Sequence, residues 1–173
     1  MERLAECLGA VFKQEKKFFG RVALIRLDGR DVRLLVPDTY MNESGKSVGA
    51  LVNFYKLVPE SILVAHDEID FPTGKVRFKN GGGLAGHNGL RDISRSLAGT
   101  TEFNRLRIGV GHPGDKSGVT SHVLGSVSAN DRQMIDTCIE LALSALPIAA
   151  SGDWQGAMHR LHNERQPFSE EKD

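Results

Sequence analysis

The chain has 173 residues, 40% of them apolar and 25% charged, which is ordinary globular composition and predicts one core with no second domain. Lys and Arg together number 22, as do Asp and Glu, so the overall charge excludes a bulk polyanion binder and leaves only local clusters to attract nucleic acid. Cys7 and Cys138 both fall among apolar residues in helical stretches and read as reduced, buried thiols; two cysteines without clustered histidines make no zinc site. Met1 leads directly into the polar, amphipathic ERLAECLGA, and no apolar run is long enough to span a bilayer, so the chain reads as cytoplasmic with no membrane partner.

In chain order, ERLAECLG has helical spacing and must pack on something, because two turns of helix are not stable alone. VALIRLDGRDVRLLVP is two β-branched and aliphatic runs joined at Asp28-Gly29, which predicts a hairpin with positive φ at the turn. Val48, Leu51, Val52 and Tyr55 follow the i, i+3, i+4, i+7 rule of a helix within 42–57. SILVAHDEID predicts a short buried strand delivering acids at its carboxyl end, where open α/β sheets place their sites. GKVRFK alternates Val76 and Phe78 with Lys75, Arg77 and Lys79 as a further strand.

After three consecutive glycines, Leu90, Ile93 and Leu97 mark a helix with Asn88 as its N-cap, and FNRLRIGVG is another strand. Ser128 and Asp131 form a capping box for a long helix disturbed at Pro147. A last helix covers about 154–162, before a polar tail, 164–173, expected to fray. The fold class is therefore α/β: a single domain over 1–163 with a mixed sheet covered by helices.

Three motifs bear on chemistry. ESGKSVG ends like a phosphate-binding loop, but the earlier glycine it requires is Tyr40 and no strand leads into it, so Lys46 reads as solvated helix surface. In HDEID, alternation turns His66 and Glu68 one way and Asp67 the other, which suits a metal poorly. A single carboxylate at a strand end suits the orienting partner of a histidine base, with a helix cap or surface ion pair as the plainer use of Asp67. From Phe71 to Arg91 four basic residues, Lys75, Arg77, Lys79 and Arg91, meet no acid, and Arg95, Arg105 and Arg107 continue the bias. Beside GGGLAGHNG this points to an RNA or phosphate surface rather than only a solvated face. Glycine is costly to order, so such a run implies positive φ or close approach; Asn88 is the amide placed to use the opening, and His87 beside it reads as structural.

YMNESGKSV, ILVAHDEIDFPTGKVRFKNGGGLAGHNGLRDI and FNRLRIGVGHPG together closely resemble bacterial-type peptidyl-tRNA hydrolase, over about Glu2 to His162. The resemblance implies a monomeric α/β enzyme that hydrolyses the ester between peptide and the terminal ribose of tRNA, with no metal, no cofactor and no DNA partner. It matches Asp67 to the carboxylate that orients the catalytic histidine and Asn88 to the amide holding substrate and attacking water. Tyr40, Met41 and Asn42 match the wall of the peptide and acceptor-end cleft, while Arg77, Lys79 and Arg107 match the clamp on tRNA phosphates. The family opens with a strand, an asparagine loop and a Thr-Arg-His-Asn segment that supplies the general base. None of His66, His87, His112, His122, His159 and His162 corresponds to that base. Two expectations follow: a clipped copy of the enzyme, impaired for want of the base, or a non-catalytic RNA-binding module on the same fold. The retained Asp67 favours the first.

Overall fold

A computed structural model describes residues 1–111 and 128–168, so His112 and His122 lie outside the described residues. The chain packs as two compact units, Met1–Leu63 with Asn80–Asn104, and Val64–Lys79 with the described residues from Arg105 onward.

The first unit begins with α1 (Glu2–Cys7), whose Leu4 and Ala5 are buried while Cys7 is exposed. The expectation of two core thiols thus holds for Cys138 alone, which is fully buried and whose pKa burial pushes up to about 11. Strands β1 (Lys13–Glu15), β2 (Gly20–Leu27) and β3 (Arg30–Pro37) form an antiparallel sheet. The hairpin closes at Leu27 opposite Arg30, with φ of 47° at Asp28 and 75° at Gly29, as the Asp-Gly pair predicts. Helix α2 (Ser44–Tyr55) buries Leu51 and Val52 and is tied down by the buried Ser47 hydroxyl, which donates to the Phe18 carbonyl at 2.6 Å. Lys46 is exposed, with its ammonium 4.3 Å from the Phe19 ring centre, as expected of a surface residue. Helix α3 (Asn88–Ser96) buries Leu90 and Ile93, with Leu97 just beyond it.

A second sheet has the order β4-β6-β5, from β4 (Leu63–Glu68), β5 (Val76–Asn80) and β6 (Asn104–Gly109). It is mixed. The Asn104 and Val110 amides donate to the Ile62 and Glu68 carbonyls, a parallel pairing, whereas Gly109 and Gly81 donate to Lys75 and Phe103, an antiparallel one. β4 is only half-buried along most of its length, with Ala65 exposed, because it lies at the end of that strand order; the buried strand expected of SILVAHDEID is corrected accordingly.

Helix α4 (Ala129–Ala150) starts at Ser128, whose hydroxyl accepts from the Asp131 amide at 3.1 Å. Pro147 neither breaks nor ends it: the proline sits in the final turn, where its missing N–H removes a single bond. By length and composition α4 could cross a membrane, contrary to the expectation that no run is long enough. Its Cys138, Ala142, Ala145 and Ala149 form one buried stripe at helical spacing, so this helix packs along one face while most of it is not buried. Helix α5 (Trp154–Asn163) follows, capped by the Asp153 carboxylate accepting from the Gly156 amide at 2.8 Å.

β5 ends the strand order, and side chains cap its open edge. Gln166 accepts from the Val76 amide at 2.8 Å and donates to the Val76 carbonyl at 3.0 Å, mimicking a neighbouring strand. His162 Nε2 accepts from the Phe78 amide at 3.0 Å. Residues 164–168 are thus tied to β5 through Gln166, whose amide supplies ladder bonds that β5 lacks, and the rest of the tail expected to fray lies outside the described residues.

Burial and then the nearby Arg77 charge lower the His162 pKa below 6.5. A ring that accepts an amide proton must be neutral, so between the folded and unfolded pKa values the unfolded chain binds the extra proton. Stability is complete above the unfolded value and is lost as pH falls through about 6.5. Urea midpoints should drop between pH 7.5 and 5.5, and His162→Gln should flatten that part of the profile.

Candidate active site

In the first unit the residues Tyr40, Met41 and Asn42 stand at a tight turn before α2. The Glu43 amide donates to the Tyr40 carbonyl at 2.9 Å and the Ser44 hydroxyl to the Met41 carbonyl at 2.8 Å. Tyr40 is 80% and Met41 56% exposed, and Asn42 is exposed beside them, so this turn presents two apolar side chains and an amide to solvent. α3 abuts it. A Cβ built on Gly89 would lie 2.7 Å from Met41 Sδ and 3.2 Å from the Met41 carbonyl oxygen. A side chain at 89 would press on the flexible Met41 side chain and, more tightly, on its carbonyl, so α3 and the 40–42 turn pack closely, which brings Asn88 into the neighbourhood of that turn.

Other glycines of the run serve the backbone, since Gly81, Gly82 and Gly86 have φ of 51°, 81° and 73°. The second helix is anchored the same way. The Gly45 amide donates to Asp92 Oδ2 at 2.7 Å, and any side chain at 45 would collide with the Asp92 backbone. Gly45→Ala should cost about 1–3 kcal/mol by overpacking, read as a lower urea midpoint.

The cap of α3 corrects the sequence reading. His87, not Asn88, is the N-cap: its Nδ1 accepts from the Leu90 amide at 3.2 Å. His87 has the extended backbone that a cap requires, while Asn88 is already the first helical residue. The Asn88 amide is therefore not spent on capping, and it is exposed.

In the second unit, β4 carries Asp67 half-buried near its carboxyl end, with Glu68 next to it only 4% exposed. HDEID does not converge on a metal. His66 Nδ1 donates to the Asp67 carbonyl at 2.6 Å, and Glu68 is engaged elsewhere: its Oε2 accepts from Arg107 Nε at 2.8 Å and its Oε1 from the Asp70 amide at 3.2 Å. Arg107 also stacks its guanidinium 4.1 Å from the Phe71 ring centre.

Arg107, which continues the basic bias beyond Arg91, is met by Glu68, which takes up part of its charge. Arg105 is 2% exposed; burial, then the Arg107 charge, lower its pKa, against an upward pull from Glu68. Arg77 and Lys79 are half-buried on β5, alternating with the buried Val76 and Phe78 as expected. Arg77 donates to the Val76 carbonyl at 3.2 Å, and burial lowers its pKa. Tyr40, Met41, Asn42 and Asn88 thus form a group in one unit, and Asp67, Arg77, Lys79 and Arg107 belong to the other.

The model of the family described as peptidyl-tRNA hydrolase matches residues 1–169. This chain belongs to the peptidyl-tRNA hydrolase family. It is 51% identical over 163 residues to the peptidyl-tRNA hydrolase of Shewanella halifaxensis (strain HAW-EB4), covering 94% of this chain and 84% of that one. The Pseudomonas paraeruginosa protein of the same name is 48% identical over 165 residues, covering 95% and 85%. The crystal structure of peptidyl-tRNA hydrolase from Acinetobacter baumannii superimposes with a TM-score of 0.91 at 44% identity, over 95% of this chain and 83% of that one. The α/β fold with a mixed sheet is thus the peptidyl-tRNA hydrolase fold.

Three residues in this peptidyl-tRNA hydrolase family member escaped the sequence reading. Glu68 and Phe71 hold Arg107, and Gln166 caps β5. Alternation had already put Glu68 opposite Asp67. An acid on a strand face that turns inward demands a cation, and that was the available signal.

Proposed function

We propose that the protein hydrolyses peptidyl-tRNA, cleaving the ester to release the peptide carboxylate and the ribose hydroxyl of free tRNA. What carries this reading is the 51% identity to a peptidyl-tRNA hydrolase over a stretch that includes both HDEID and AGHNG. Residues 1–163 act as one functional domain, monomeric and cytoplasmic, where stalled translation supplies the substrate.

Each side chain then has a distinct task. Asp67 accepts the ring N–H of a histidine base, fixing its tautomer and stabilising the imidazolium formed when the base takes a proton from water. The Asn88 amide can donate to the ester carbonyl and accept from the attacking water. Tyr40, Met41 and Asn42 line the acceptor-end cleft, and Arg77, Lys79 and Arg107 meet phosphates.

None of the histidines in these 173 residues corresponds to the base by resemblance, so the test supplies a strand, asparagine-loop and histidine segment from outside. Turnover of peptidyl-tRNA is to be compared for the 173-residue chain and for the same chain extended by that segment from a relative. The extended form should release free tRNA about 10²–10⁴ times faster. Binding of tRNA by both without hydrolysis by either would favour a non-catalytic RNA-binding role.

A further inference from the structure

Glu68 is a buried carboxylate with two arginines in its field. It bonds Arg107 Nε at 2.8 Å and raises the pKa of the buried Arg105, which Arg107 lowers, so the trio carries one net positive charge. Phe71 lies under the Arg107 guanidinium at 4.1 Å, and Lys75 stands 4.9 Å from the same ring and 5.3 Å from Phe168. One edge and one face of Arg107 are therefore occupied. Its terminal NH2 groups have no partner among the described residues, and the side chain keeps 19% exposure.

A guanidinium fixed along one edge and one face loses little freedom when its remaining edge meets two oxygens of an anion. We propose that Glu68 and Phe71 are positioning residues for the substrate: they lock Arg107 so that its terminal NH2 groups grip a phosphate of tRNA. This rests on the reading of tRNA as substrate and of Arg107 as one of its phosphate contacts. Charge alone argues the opposite way for Glu68, since removing an acid from a basic surface should tighten RNA binding. The sign of the effect therefore separates positioning from bulk electrostatics.

The test is equilibrium binding of deacylated tRNA by the 173-residue chain across a salt series, which reads phosphate contacts without needing turnover. Each contact contributes about 0.7–0.9 to the slope of log affinity against log salt. Arg107→Ala should lower the slope by about one contact. Glu68→Gln and Phe71→Leu should each lower it in the same direction and weaken binding, while Phe71→Tyr, which keeps the ring, should retain the wild-type slope. In the Arg107→Ala background neither should weaken binding by more than about twofold, because both act through Arg107.

Circular dichroism establishes that the variants are folded, and Phe71→Leu decides should Glu68→Gln fail to fold. If Arg107→Ala loses the contact but Glu68→Gln tightens binding and Phe71→Leu leaves the slope intact, positioning is overturned and the tRNA reading stands. If Arg107→Ala leaves both slope and affinity unchanged, Arg107 does not touch phosphate, and the reading beneath the proposal fails with it.

Discussion

Asp67→Asn should slow peptidyl-tRNA hydrolysis about 10²–10⁴-fold, measured on the chain extended by a relative's histidine segment. The substitution keeps the shape of the side chain and removes its charge. A histidine that takes a proton from water becomes a cation, and a neutral amide stabilises that cation less than a carboxylate does. An asparagine can also turn its NH2 toward the ring and favour the wrong tautomer. Asp67 is only half-buried on β4, so the fold should tolerate the change, and the urea midpoint should stay close to wild type. Affinity for tRNA should change by less than about twofold, because no phosphate contact is assigned to Asp67. Unchanged turnover with intact folding would remove Asp67 from the mechanism.

Glu68→Ala should be the most damaging substitution to stability among those considered, at about 3–5 kcal/mol. The carboxylate is 4% exposed and accepts both from Arg107, itself 19% exposed, and from the Asp70 amide. Its removal strands the Arg107 charge and takes away the upward pull of Glu68 on the 2%-exposed Arg105. Glu68→Gln should cost less, since the amide keeps the volume of the side chain, although without the charge it holds Arg107 less firmly than the carboxylate does. Urea unfolding of both variants at pH 7 provides the comparison. A loss below about 1 kcal/mol for Glu68→Ala would mean that Arg107 swings to solvent at little cost.

Local features of this protein were legible in its sequence wherever neighbouring residues complete them. The Asp28-Gly29 hairpin needs only two residues able to adopt positive φ between two β-branched runs. The Ser128 cap needs only an amide three positions on, and the alternation of Val76 and Phe78 with Arg77 and Lys79 needs only the pleat of one strand. The cap of α3 was misplaced by one residue because His87 and Asn88 can both accept a hydrogen bond, and only the backbone conformation chooses between them.

What the sequence by itself determined is the main helices and strands and the family; Asp67, Asn88, the Tyr40–Asn42 wall and the basic positions Arg77, Lys79 and Arg107 are the positions that the resemblance implies for the site. The tertiary structure alone decided which of those charges are already spoken for. Glu68 and Arg107 are 39 residues apart, and Gln166 lies 90 residues from the strand edge it caps. It also packed Gly89 against Met41, which stands far from it in sequence. Composition and periodicity describe each residue's own preference, whereas a buried charge or an open strand edge is satisfied by whichever partner the fold brings within 3 Å or so of it.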